Sequence, residues 1–153
     1  YNFEVKKMTL YEKYKYWVVL SDYDIETADV LIAGKRWLYV AYVCEQAVER
    51  LLKGMYVLYT KKEVPKSKNI TFIFNKITKD ENFLSHVDLE EFNKLKVEYE
   101  EILIDIMFYY ISDYPFSYLK VMDRFIGEAT AMDVYNKTLK ILSWLKSFQK
   151  EEV

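Results

Sequence analysis

The stretch Cys44-Glu-Gln-Ala-Val-Glu-Arg-Leu-Leu-Lys53 sets Gln46, Glu49 and Lys53 at helical spacing on one narrow face of a segment rich in Ala, Val, Leu and Cys. Extended on both sides, the same segment carries Ala41, Cys44, Val48, Leu51, Leu52 and Met55 on one broad side. A single neighbour cannot cover so wide an apolar face, so this helix, starting near Lys35, is predicted to sit at the centre of a bundle. The polar stripe leaves three readings open. It is a solvated face, a polar network with Asp24 that ties the first two helices in register, or the wall of a cleft for a nucleotide or partner with Lys53 as the phosphate-facing cation.

Working outward, Thr9 caps a first helix that runs to a stop at Gly34, the residue type that best tolerates the left-handed conformation at a helix end. Lys61 to Asn69 has no apolar period and contains Pro65, which disfavours helix at Val64, so it reads as a loop. A short helix, ITFIFNKI, follows it. Asp88 and Glu91 then form a capping-box-like start for a long helix bearing Leu89, Phe92, Tyr99, Ile102, Ile106 and Tyr109 and ending near Ser112. Tyr114-Pro115 enforces a break, and Ser117 to Gly127 reads as irregular or weakly helical. Thr130 and Asp133 offer a capping box for a last helix whose Val134, Thr138, Ile141, Leu145 and Phe148 repeat every three or four residues.

Composition agrees with this pattern. Of 153 residues, 52% are hydrophobic and only three are Gly and two Pro, which favours long helices over a turn-rich sheet protein. The expected fold is all-α, an antiparallel up-and-down bundle of four long helices plus a short one, in a single domain over 1–153. The 22 Lys and Arg against 24 Asp and Glu give a net charge of -2, so no protein-wide basic field recruits nucleic acid. One cysteine, Cys44, excludes an internal disulfide and any multi-cysteine metal site, and its place beside Val48 and Leu51 reads as an inert core thiol. The longest oily run, Ile102 to Ile111, is broken by Asp105 and is far shorter than the roughly 20 residues that span a bilayer. The opening YNFEVKK shows no charged-then-apolar leader, so the expectation is a cytoplasmic chain.

Three stretches together resemble the HEPN family of helical "higher eukaryotes and prokaryotes nucleotide-binding" domains, over roughly Trp17 to Leu145. Trp17, Ser21, Asp24, Ile25, Ala28 and Leu31 resemble its opening pattern of Trp, small, Asp-Leu, Ala, Leu. Gln46, Ala47, Glu49, Arg50 and Lys53 occupy the places of its Gln-Ala-x-Glu-Lys/Arg-x-x-Lys core, the most specific match. VPKSKNITFIF and ISDYPFSY are similar to two shorter segments, but Lys68 stands where the family usually has His, Asp113 where it has Arg, and Phe116 where it has Asp. Many members are ribonucleases built on an Arg followed, after four to six residues, by a His. The one histidine here, His86, is preceded at those distances by Lys79, Asp80 and Glu81. A metal-free ribonuclease needs a base for the 2′-hydroxyl and a cation for the phosphorane, and no residue pair here satisfies that motif.

The resemblance therefore implies a non-catalytic HEPN module with no cofactor, commonly a homodimer and often encoded beside a small nucleotidyltransferase. The alternatives are a toxin-like ribonuclease with a divergent site and a purely structural helical dimer. The candidate cleft comprises Asp24, Gln46, Glu49, Lys53, Lys68, Asp113 and Tyr114, with no catalytic and no metal residue among them. Lys68 and Asp113 are expected to attract each other across its mouth, where they occupy the place of an anion and weaken nucleotide binding. Lys61, Lys62, Lys66 and Lys68 read first as a solvated charge run, Tyr114 as a packing residue, and His86 as an exposed residue in the loop before the fourth helix.

Overall fold

The computed structural model of the chain describes residues 7–107, 109 and 126–148. Its helices are α1 (Leu10–Ala33), α2 (Trp37–Thr60), α3 (Ile70–Thr78), α4 (Glu81–His86), α5 (Leu89–Met107) and α6 (Glu128–Ser147), and no strand occurs among the described residues. The all-α bundle expected from the sequence is the observed architecture. Among the described residues it has four long helices and two short ones, because the segment before α5 winds into α4 instead of remaining a loop. Asp80 starts that extra turn by accepting from the Asn82 N–H at 2.9 Å. No helix among the described residues is long and apolar enough to cross a membrane.

Helix α2 packs against every other described helix. Its Ala41, Cys44, Val48, Leu51, Leu52 and Met55 are all buried, so the broad apolar side read from the sequence is the centre of the core. One hydrophobic cluster joins α2 to α3, α4, α5 and α6 through Leu51, Met55, Phe74, Phe83, Phe92, Tyr99 and Trp144. A smaller one gathers Ala28, Val40, Ala41 and Cys44 with Ile126, Ala131 and Val134. Leu89 departs from its expected core role and is exposed, because it lies at the very start of α5, outside the packed stretch.

Of the helix ends read from the sequence that fall on described residues, two hold and two do not. Thr9 accepts from the Glu12 N–H at 3.1 Å, and Asp88 from the N–H groups of Glu90 and Glu91 at 3.1 and 3.3 Å, as their spacing predicted. At the α1–α2 corner, however, Gly34 keeps a negative φ of -87° and Lys35 takes the left-handed conformation at φ 56°. The Arg36 N–H reaches the Leu31 carbonyl at 2.9 Å and the Lys35 N–H the Ile32 carbonyl at 3.0 Å, which satisfies two carbonyls of the last turn. A lysine holds this position at a cost of about 1 kcal/mol relative to glycine. The second exception is α6, which begins at Glu128 after Gly127, so Thr130 lies inside the first turn and does not cap it. The irregular segment expected from Ser117, and the end of α5 at Ser112, lie outside the described residues.

Candidate functional site

Helices α1 and α2 approach each other most closely where their sequences are small. A β-carbon on Gly54 would lie 2.8 Å from Trp17 Cβ and 3.3 Å from the Tyr14 carbonyl oxygen, so only glycine fits there. Further along the same seam, the Ser21 hydroxyl donates to the Ala47 carbonyl at 2.8 Å across the interface, with both residues fully buried. One turn on from Ser21, Asp24 is also buried, because a face that admits Ser21 and Ala28 draws its neighbour in with them.

Asp24 does not enter alone. Its Oδ1 accepts from Gln46 Nε2 at 3.1 Å and from Arg50 Nη1 at 3.0 Å, two α2 side chains one turn apart on the face toward α1. Its Oδ2 is buried and has no hydrogen-bond partner among the described residues. Burial accordingly raises the pKa of Asp24 above the usual carboxylate value, while Arg50 and the hydrogen bonds from Gln46 and Arg50 pull it back down and the Glu49 carboxylate pushes it up. One residue of the stripe, Gln46, thus joins the polar network with Asp24. The other two form a separate pair, with Lys53 Nζ 3.7 Å from Glu49 Oε1 on the same helix, and Glu49 buried. A solvated face is therefore not what this stripe is. Chemically the network is a tie between helices, with a carboxylate, an amide and a guanidinium locking the register of α1 on α2.

Lys68 is exposed in the link between α2 and α3, and makes no ion pair with any described residue. Asp113 and Tyr114 lie outside the described residues, and so does the expected Lys68–Asp113 pair. Arg50 belongs to the site although it was not among the candidate cleft residues; its signal was its place one turn after Gln46, which puts both within reach of one acceptor. Glu45 was missed as well, and it is buried in the middle of α2. His86 is not a loop residue. It ends α4, half-buried, with its ring set edge-on to Tyr59 at 5.9 Å and its Nε2 buried without a hydrogen-bond partner among the described residues. Cys44 is buried, and burial pushes its thiol up to about 12, so it holds its proton as an inert core residue does.

A cleft of about 380 Å³ opens elsewhere, between the start of α1 and the end of α2, lined by Leu10, Lys13, Trp17, Val57 and Lys61 to Val64. Lys61 and Lys62, from the basic run in the sequence, meet Lys13 there beside the Trp17 indole. None of Asp24, Gln46, Glu49 or Lys53 lines it. No three His, Cys, Asp or Glu side chains among the described residues are grouped to hold a metal ion.

No curated protein and no solved structure matches the chain. The HEPN domain family model does, over residues 14–148, a span that begins with the buried Tyr14 and takes in the Asp24–Gln46–Arg50 network, most of α1 and all of α2 to α6. By that match the chain belongs to the HEPN domain family.

Proposed function

We propose that this is a non-catalytic HEPN module that works as a homodimer and docks a second protein, a small nucleotidyltransferase being the kind of partner that the family resemblance implies. The observation that carries the non-catalytic part is the setting of His86. Its imidazole packs on Tyr59, and at the distances where a catalytic arginine would precede it stand Lys79, Asp80 and Glu81. Asp80 is committed to capping α4 through the Asn82 N–H, and the one cation at those distances is Lys79, whose ammonium lacks the planar fork of an arginine. The Asp24 network supports the same reading, since Gln46 and Arg50 both donate to Asp24 Oδ1 between two helices. The nucleotide that the family's name implies fits the Lys13, Trp17 and Lys61 cleft better than this network. Three lysines and an indole line that opening against one carboxylate, Glu63, whereas the network offers Asp24 and Glu49 with Arg50 and Lys53 already paired to them.

Incubation of the purified chain with single-stranded RNA tests the proposal, together with light scattering on the same sample at high micromolar concentration. No cleavage above buffer and a mass of two chains are expected. Cleavage that co-purifies with the chain and is lost in His86→Ala or Lys53→Ala would overturn the non-catalytic reading, and a monomer at that concentration would overturn the homodimer.

A further inference from the structure

Three lysines gather at one opening of a chain whose net charge is -2. Lys13 comes from the start of α1, while Lys61 and Lys62 follow directly after α2, and all three are exposed along the cleft of about 380 Å³. None of them forms an ion pair with a described residue, and neither does Glu63, the one carboxylate in the lining. Ammonium groups held together in this way repel one another, and an acidic occupant relieves that repulsion.

The backbone on both sides fixes the lysines there. Gly54 lets α1 close on α2 at Trp17, which sets the half-buried indole in the wall of the cleft. Lys61 takes the left-handed conformation at φ 59°, so the chain turns off α2 and brings Lys62, Glu63 and Val64 into the lining. Its N–H still closes the helix on the Val57 carbonyl at 3.1 Å, and the Lys62 N–H turns to the Thr60 hydroxyl at 3.3 Å. Beyond them the main-chain groups of Glu63 and Val64 bond to no described residue. Leu10, Val57 and Val64 add aliphatic surface beside the indole.

We propose, resting on the reading of this chain as a module that docks a second protein, that the cleft takes an extended acidic peptide segment of that partner. One large apolar side chain of the segment lies against Trp17 and Val57, and Asp or Glu residues on either side of it reach Lys13, Lys61 and Lys62. An extended segment alternates N–H and C=O groups, so it uses the open main chain of Glu63 and Val64 as well as the ammonium groups. The Glu63 carboxylate then accepts from a peptide N–H. A free nucleotide would engage the lysines and the indole, but it has no such run of alternating donors and acceptors, and Glu63 would repel its phosphates. The helix ends give no net preference of their own, because the start of α1 favours negative charge and the end of α2 opposes it. Selection for acid therefore rests on the lysine side chains. The volume lies near the lower end of the roughly 300–1,000 Å³ usual for ligand sites, which suits one side chain with its adjoining backbone.

A fluorescein-labelled peptide of alternating Asp and Glu with a single central Leu tests this on the full chain, by fluorescence anisotropy at low salt. Saturable binding in the micromolar range is expected. Asn and Gln in place of the acids should abolish it, and Ser in place of the Leu should weaken it by roughly 10-fold or more. Lys13→Glu combined with Lys62→Glu should weaken it by roughly 10-fold or more with circular dichroism unchanged, since both side chains are exposed. Binding that is indifferent to the Leu or to the two lysines is general charge attraction and overturns the site. ATP that displaces the peptide and binds more tightly than it makes this a nucleotide cleft and overturns the peptide. A wild type that binds no peptide, while inert toward RNA and of the mass of two chains, overturns the cleft and leaves the module reading standing. RNA cleavage lost in His86→Ala overturns that reading whatever the peptide does.

Discussion

The two sides of α2 are built from opposite materials. Toward α1 the contact is made by Gly54, Ala47 and Ser21 and by the hydrogen bonds of Asp24 to Gln46 and Arg50. On its other side lies an aromatic cluster in which the Trp144 indole stacks on Tyr99 at 4.1 Å and on Phe92 at 5.7 Å, with Phe148 edge-on at 4.9 Å and Phe74 tilted at 5.9 Å. Small residues bring two helix backbones together and leave little side-chain area to bury, so that seam fixes register through directional bonds. The aromatic side buries large rings, and its contribution is area and dispersion. Stability is thus concentrated on one side of α2 and alignment on the other.

Removing the largest ring from the aromatic side should have the greatest effect. Trp144→Ala is expected to lower stability by about 4 kcal/mol, from lost transfer energy plus a cavity among four aromatic neighbours. Urea denaturation followed by tryptophan fluorescence or circular dichroism measures it. A loss below about 1 kcal/mol would mean that the rings close over the gap and that the division between the two sides is wrong.

A single methyl group tests the other side. Gly54→Ala improves helix propensity by about 1 kcal/mol, but its β-carbon arrives at the Trp17 β-carbon and the Tyr14 backbone oxygen, neither of which is the free end of a side chain. The two helices must move apart, and a net loss of about 2 kcal/mol is expected. Trp17→Ala keeps the obstructing β-carbon, so the double variant should recover nothing. Recovery in that double variant would show that the indole, and not the backbone approach, sets the distance between α1 and α2.

The same contrast explains what was legible in the sequence. The apolar side of α2 and the caps at Thr9 and Asp88 could be read because each depends on spacing within one segment. Gln46 and Asp24 could be linked in advance only as one of several readings, because residue spacing does not say which helix lies opposite. Arg50 was passed over although it bonds the same oxygen, since a cation at a helix edge reads as solvated until a buried carboxylate is placed beside it. The corner at Lys35 was misread for a different reason. Glycine preference says which residue adopts a left-handed turn at least cost, whereas the length of α1 decided which residue stands there, and the chain tolerates the strain. The exposed line of Tyr16, Val19, Tyr23 and Val30 on α1 was also hidden, because Tyr and Val at helical spacing are ordinarily assigned to a core and nothing local says that α1 already has its buried face elsewhere.

The smallest expected effect is also the sharpest test of the seam, because its sign is informative. Burial holds the pKa of Asp24 above its unfolded value of about 3.9, despite the opposing pull of Arg50. Between that value and the folded pKa the native state binds more protons than the unfolded one. The contribution of this group is therefore fully present below the unfolded pKa and is lost as pH rises through the folded pKa. Asp24→Asn carries no titrating proton and keeps an acceptor for Gln46 and Arg50, so it should lie within about 1 kcal/mol of the wild type near neutral pH. Its stability relative to the wild type should improve as pH is raised through that window, read from urea midpoints taken from acid to neutral conditions. Movement in the opposite direction would mean that Arg50 stabilises the carboxylate more than burial penalises it. The seam would then be held by a net-favourable ion pair, and the small residues at Gly54, Ala47 and Ser21 would be only the means of bringing that pair together.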